Sequence, residues 1–247
     1  MEGLYKIAEH TVRVISLYKK IHVMCRDYRA AEEAPEIVLS TSQADIDAER
    51  RKSEQEDRLE GIPVRRFADD YLETLAVYRK LADALLTDDT ILFHGSCISV
   101  DGEGYLFTAK SGTGKSTHTR LWREAFGSRA VMVNDDKPLL SIRERGVTAF
   151  GTPWDGKHHL SNNISVPLKA ICILERGERN EIQRIAPGEA CPMLLQQVNR
   201  PRDPQRMLKT LQLLDVLIST VGLYRLRCNM EPEAARIAFE GMNGKGA

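Results

Sequence analysis

Eight residues, Ala109-Lys110-Ser111-Gly112-Thr113-Gly114-Lys115-Ser116, restrict this chain more than any other feature. They follow a short apolar run, Tyr105-Leu106-Phe107-Thr108, that reads as a buried strand. They lead into a segment from Lys115 to Phe126 that carries Leu121, Trp122, Ala125 and Phe126 on one helical face and is ended by Gly127. Ala130-Val131-Met132-Val133 is the next strand. Strand, glycine-punctuated turn and helix N-terminus in that order point free backbone N–H groups, with the helix dipole behind them, at one place. The pattern [Ala/Gly]-x4-Gly-Lys-Ser is that of a phosphate-binding loop. Lys115 supplies charge to the outer phosphates, and the Ser116 hydroxyl is placed to hold Mg²⁺. Ser111, Gly112, Thr113, Gly114, Lys115, Ser116 and Thr117 are the expected nucleotide contacts. Ala109 replaces the usual first glycine, so that position must tolerate a Cβ.

With 247 residues, the chain has room for one large domain, or one domain and an appendage, with a sizeable core. Its 35 Lys and Arg balance 35 Asp and Glu, which removes the electrostatic case for a nucleic-acid partner. Five scattered cysteines without a C-x-x-C pair suggest neither a zinc site nor a disulfide framework, and read as reduced thiols. The N-terminus has no signal-peptide stretch and no run reaches membrane-span length. These features predict a cytoplasmic protein without a membrane partner. Oligomeric state stays open, a homo-oligomer included.

Elements interleave along the chain, so the class is α/β. Residues 1–88 read as a small mixed appendage and 89–247 as the main domain. In the appendage, Thr11–Ile15 fits a strand, although Leu4, Ile7, Ala8 and Val12 also fit a helix. Residues 16–28 favour a helix and Glu36–Leu39 a strand. The polar stretch from Ser42 to Glu60 reads as an exposed helix without a core-facing stripe. Phe67, Tyr71, Leu75, Tyr78, Leu81, Ala82 and Leu85 give the strongest helical periodicity in the chain. In the main domain, Ile91–His94 and Cys97–Val100 form a strand region that Asp101–Gly104 turns back into the strand carrying the loop. Further strands are expected at 147–150, 166–175, 182–185 and 223–227, and helices at 187–198, 205–219 and 231–242.

The chemistry-bearing residues fall after the loop. Asp135 and Asp136 follow the strand beyond the loop helix. One carboxylate there can complete a Mg²⁺ shell with the loop hydroxyl while the other accepts a hydroxyl proton. Their alternative is a turn or helix cap. His94, beside the loop strand, could orient or tune the base, or be a buried, hydrogen-bonded histidine. The Gly/Pro-punctuated stretch 151–159 carries Trp154, Asp155, Lys157, His158 and His159. It is the expected acceptor loop, with Trp154, Asp155 and His158 as substrate contacts and Lys157 neutralising charge on the moving phosphoryl group. Trp154 could equally be packing.

His94-Gly95, the hairpin, Ser111–Ser116, Asn134-Asp135-Asp136 and the Leu174-Glu175-Arg176-Gly177 turn occur in the order and approximate spacing of the HPr kinase/phosphorylase catalytic domain. Residues 89–185 resemble that family, which shares its fold with the phosphoenolpyruvate carboxykinases. The resemblance implies a mixed sheet carrying the loop. It makes Lys115 the phosphate ligand, Ser116 and Asp136 metal ligands, and Asp135 the acid/base assisted by His94. The family's Glu-x-Arg-Gly signature is absent, and Gly151–Lys157 stands in its region. Loop and resemblance together imply a Mg²⁺- and ATP-dependent kinase acting on a hydroxyl, in a protein, a peptide or a free metabolite. One alternative is a carboxykinase-like transfer to an enolate, which would want a second metal site and a carboxylate-binding arginine that the sequence does not single out. The other is a nucleotide-sensing module without turnover, which would not need to keep a proton acceptor.

Overall fold

The computed structural model describes residues 1–244 apart from Glu60 and Ser111. The chain divides into two compact units, Met1–Ala84 and Leu85–Ala247.

In the first unit, β1 (Glu2–Ile7) and β2 (His10–Ile15) pair antiparallel, and β3 (Ile37–Ser40) adds parallel to β2. The helical alternative for residues 4–12 therefore falls. Ala8 and Glu9 both sit at positive φ and turn the hairpin without the glycine or asparagine that would have announced it. Three helices complete the unit: α1 (Lys20–Met24), α2 (Gln43–Leu59) and α3 (Asp69–Leu85). The helix expected over 16–28 shrinks to α1 and a 3-10 turn at Cys25–Tyr28. Its first residues are recruited elsewhere, because the buried Glu73 carboxylate on α3 accepts from the N–H groups of Leu17 (2.7 Å) and Tyr18 (2.9 Å). In α2, Ile46 is the buried apolar side chain. Charge joins α2 to α3 instead, through Glu49 with Arg79, Arg50 with Asp69, and Asp45 with Lys80 at 2.9 Å. The α3 periodicity is realised, starting two residues after Phe67, with Leu72, Val77, Leu81 and Leu85 in the interior.

In the second unit, nine strands among the described residues form one curled mixed sheet. They are β4 (Thr90–Leu92), β5 (Ser96–Val100), β6 (Glu103–Thr108), β7 (Ala130–Asn134), β8 (Leu139–Arg143), β9 (Gly146–Phe150), β10 (Ser165–Arg176), β11 (Glu181–Arg184) and β12 (Gly222–Cys228). The twelve-residue β10 organises it, pairing antiparallel with β9 through its first residues and parallel with β6 and β12 beyond them. β5 forms the expected hairpin with β6 and also pairs antiparallel with β7, so β6 and β7 run the same way with β5 between them. Among the described residues, four helices cover the sheet: α4 (Lys115–Phe126), α5 (Pro187–Leu195), α6 (Pro204–Thr220) and α7 (Glu233–Met242). Strand alternation sorts the side chains. Leu106, Ile171 and Ile173 pack with Leu194, Leu213 and Leu217 of α5 and α6. Tyr105, Phe107, Ala170 and Cys172 pack with Leu121 and Trp122 of α4 and Ala234 and Ala238 of α7. Three expectations shift: β4 stops before His94, α5 ends at Leu195, and β8 was missed because Ser141 interrupts a short apolar run.

Candidate functional site

β6 ends at Thr108, and the chain reaches α4 through residues 109–114. Ala109 answers the question its Cβ raised: it is 1% exposed and its methyl belongs to the α4/α7 core. Gly112 (φ 75°) and Gly114 (φ 126°) hold backbone shapes that a side chain would strain, with open space where a Cβ would stand. Thr113 ties the turn back, its N–H and its hydroxyl both donating to the Lys110 carbonyl at 3.2 and 2.8 Å. Gly114 is the N-cap of α4, and its carbonyl accepts the first helical bond from His118 N–H at 2.9 Å. The N–H groups of Lys115, Ser116 and Thr117 precede that bond, and the first turn carries no acidic side chain to occupy them. The Arg176 guanidinium, from the last residue of β10, donates to the Gly112 carbonyl at 2.6 Å and steadies the loop. Ser111 lies outside the described residues.

Asn134, fully buried at the end of β7, organises the opposite wall. Its Oδ1 accepts from the N–H groups of Asp136 (2.8 Å) and Lys137 (2.6 Å), closing the turn that presents both aspartates. Its Nδ2 donates to the carbonyl and hydroxyl of Thr152, both at 3.1 Å, fixing the start of the 151–159 stretch. Replacing Asn134 with alanine strands several buried polar groups. A destabilisation of about 2–4 kcal/mol is expected, and denaturant unfolding of the purified variant measures it.

The two aspartates have opposite environments. Asp135 is 5% exposed, and its Oδ1 accepts from Gly156 N–H at 2.7 Å. Burial raises its carboxyl above the ordinary aspartate value, against the pull of that N–H, and the neighbouring Asp155 and Asp136 charges add to the rise. Gly156 approaches so closely that a Cβ there would meet Asp135 Oδ2 at 2.9 Å. For Asp136, burial would also raise the carboxyl, but the hydrogen bond from His94 and the Lys137 ammonium outweigh it and hold it well below the usual range. His94 Nε2 stands 3.2 Å and Lys137 Nζ 2.7 Å from its oxygens. His94 lies in the link between β4 and β5, not on a strand; its own N–H donates to the Gln197 carbonyl, and Gly95 N–H donates to the Asp136 carbonyl. Burial lowers the Lys115 ammonium, with the Asp136 charge acting the other way.

These residues line one cleft of about 690 Å³ that holds His94, Gly112, Gly114, Lys115, Ser116, Thr117, Asp135, Asp136, Gly156, Lys157 and His158. Trp154 does not join them. It is 2% exposed, so of the two readings its side chain takes the packing one rather than the substrate contact. Asp155 also turns inward, accepting from His159 at 2.9 Å and Ser161 at 3.1 Å, and so braces the loop. Sequence reading missed Arg120 and Arg123, which line the cleft four and seven residues after Ser116. Their helical spacing from the hydroxyl was the signal. A second cavity of about 470 Å³ adjoins the loop. It shares Gly112, Gly114 and Thr117 with the cleft; Leu121, Leu174, Met230 and the buried His118 line it together with Arg176 and Asn229.

The molecule is thus an α/β protein whose mixed sheet carries a glycine-punctuated loop lining one cleft with Asp135, which is buried, and Asp136, which is partly exposed. Residues 69–230 match the family described as SynChlorMet cassette protein ScmC, and the chain belongs to that family. No curated protein matches the chain. Among solved structures, the HPr(Ser) kinase/phosphatase from Coxiella burnetii is similar at 12% identity and a TM-score of 0.35, over 62% of this chain and 95% of that one. Among the described residues, no helix is long and apolar enough to cross a membrane.

Proposed function

We propose that this chain is a Mg²⁺- and ATP-dependent kinase that transfers the γ-phosphoryl group to a hydroxyl. The observation carrying this reading is the single cleft that joins the 112–117 loop, Lys115 and Ser116 to Asp135, Asp136 and Lys157. The N–H groups at the start of α4 that precede its first helical bond, and the Lys115 ammonium, suit the polyphosphate. The adjoining cavity, largely apolar, suits the base. The Ser116 hydroxyl and the Asp136 carboxylate form an all-oxygen donor set that fits Mg²⁺, which needs only one or two carboxylates beside phosphate oxygens. When bound, the ion neutralises charge on the phosphate oxygens. Asp136 is kept ionised by His94 and Lys137, as a metal ligand must be. Asp135, with its raised proton affinity, is the better base. The acceptor oxygen bonds to the γ-phosphorus as its proton passes to Asp135, and the β–γ bridging oxygen leaves with ADP.

Lys157 is exposed on the acceptor side of the cleft, where solvent screens it in the ground state. Lys157→Ala is therefore expected to lower the rate of transfer at least about tenfold while changing ATP affinity little. Single-turnover transfer compared with calorimetric ATP binding separates the two effects. The reading itself is tested by incubating the protein with γ-labelled ATP, Mg²⁺ and a host extract. Label in a discrete protein, peptide or metabolite supports it. ATP binding without any labelled product would leave a nucleotide-sensing module in its place.

A further inference from the structure

We infer that the acceptor carries a carboxylate, received by Arg123 at the far end of the cleft. This inference rests on the kinase reading for the word acceptor, and on the cleft's own charges for the rest. Ser116, Arg120 and Arg123 recur along one side of α4, and all three line the cleft. Arg120 is already paired with Glu124 at 2.6 Å. Arg123 differs: its Nε is buried and has no hydrogen-bond partner among the described residues. A guanidinium N–H withdrawn from water without an acceptor is unfavourable, and an anion held by this guanidinium in the cleft would offset that cost.

The cleft's own carboxylates do not serve. Asp136 is held by His94 and Lys137, and Asp135 accepts from Gly156. Lys157 and His158 stand exposed on the loop that borders the same cleft. The nucleotide is an unsuitable occupant, because Arg123 lies two helical turns, about 10 Å along the axis, beyond Ser116. A planar fork of N–H donors matches a carboxylate's two oxygens, which favours that group over a neutral polar one. The acceptor hydroxyl would then lie toward Asp135, with its carboxylate several bonds away toward Arg123. That carboxylate can belong to an acidic side chain or to a chain terminus.

A library of heptapeptides with a fixed central serine and randomised flanks tests this. It is screened for binding to the full chain with and without Mg·ADP, once with free and once with amidated carboxyl termini. Selection of Asp or Glu, or of free over amidated termini, is expected. Arg123→Gln should reduce that selection at least tenfold and Arg123→Lys should restore part of it, with Mg·ADP affinity held within twofold. The two termini distinguish a side-chain from a terminal carboxylate. Absence of any acidic or free-terminus preference, selection of Lys or Arg, or a parallel loss of Mg·ADP affinity in Arg123→Gln would overturn the inference. Failure of the wild type to bind Mg·ADP would instead remove the kinase reading, while the nucleotide-free screen would still report the cleft's preference.

Discussion

Asp135→Asn is expected to bind Mg·ATP with near-native affinity and to lose about 10²- to 10⁴-fold in phosphoryl transfer, the range a positioned general base contributes. The amide keeps an oxygen for the Gly156 N–H, so the loop remains anchored while the proton acceptor disappears. Asp136→Asn should fail differently. Its carboxylate is held by hydrogen bonds from His94 and Lys137 and its charge is felt by Lys115, so losing that charge unbalances the metal side of the cleft. A raised Mg²⁺ requirement, partly relieved by high Mg²⁺ or Mn²⁺, is the expected result. Rapid-quench transfer assays across a metal titration distinguish the two, and identical defects would assign both carboxylates to the metal. The pH profile adds a check. With Asp135 as the base, the rate should fall as the pH drops through a value above that of an ordinary aspartate, because burial raises this carboxyl. Asp136 stays ionised through that range, since its own value is lowered.

Lys115→Ala carries the second large effect. The ammonium is partly withdrawn from solvent, as its lowered proton affinity reflects, and its charge bears directly on the phosphates. Removing a charged hydrogen-bond donor of this kind should weaken Mg·ATP binding about 10- to 100-fold. Transfer should fall further, because charge on the moving phosphoryl group grows in the transition state. Lys137 stands next to the aspartates, but its Nζ is engaged with Asp136 and is not a substitute.

The core of the site was legible because it is local. A strand, a glycine turn and a helix start are written in consecutive residues, and Gly112 and Gly114 adopt the backbone that the pattern requires. The hairpin before the loop was readable for the same reason. What escaped was non-local. The Asn134 side chain joins residues 136 and 137 to 152, a link that no spacing rule contains. Trp154 and Asp155 look like surface chemistry in a polar loop, yet burial of one and the His159 and Ser161 contacts of the other make them structural. Arg120 and Arg123 lie off the apolar face of α4, and only the position of the 156–160 segment makes that side a cleft wall. In the first unit, a buried glutamate redirected the amides of Leu17 and Tyr18 away from a helix that periodicity favoured.

The decisive measurement is calorimetric titration with Mg·ATP of the wild-type chain beside Lys115→Ala. One saturable, Mg²⁺-dependent site is expected in the wild type, and a site about 10- to 100-fold weaker in a variant that unfolds at the same denaturant concentration. Equal affinity in both proteins, or no binding by either, would contradict nucleotide binding at the Lys115 loop.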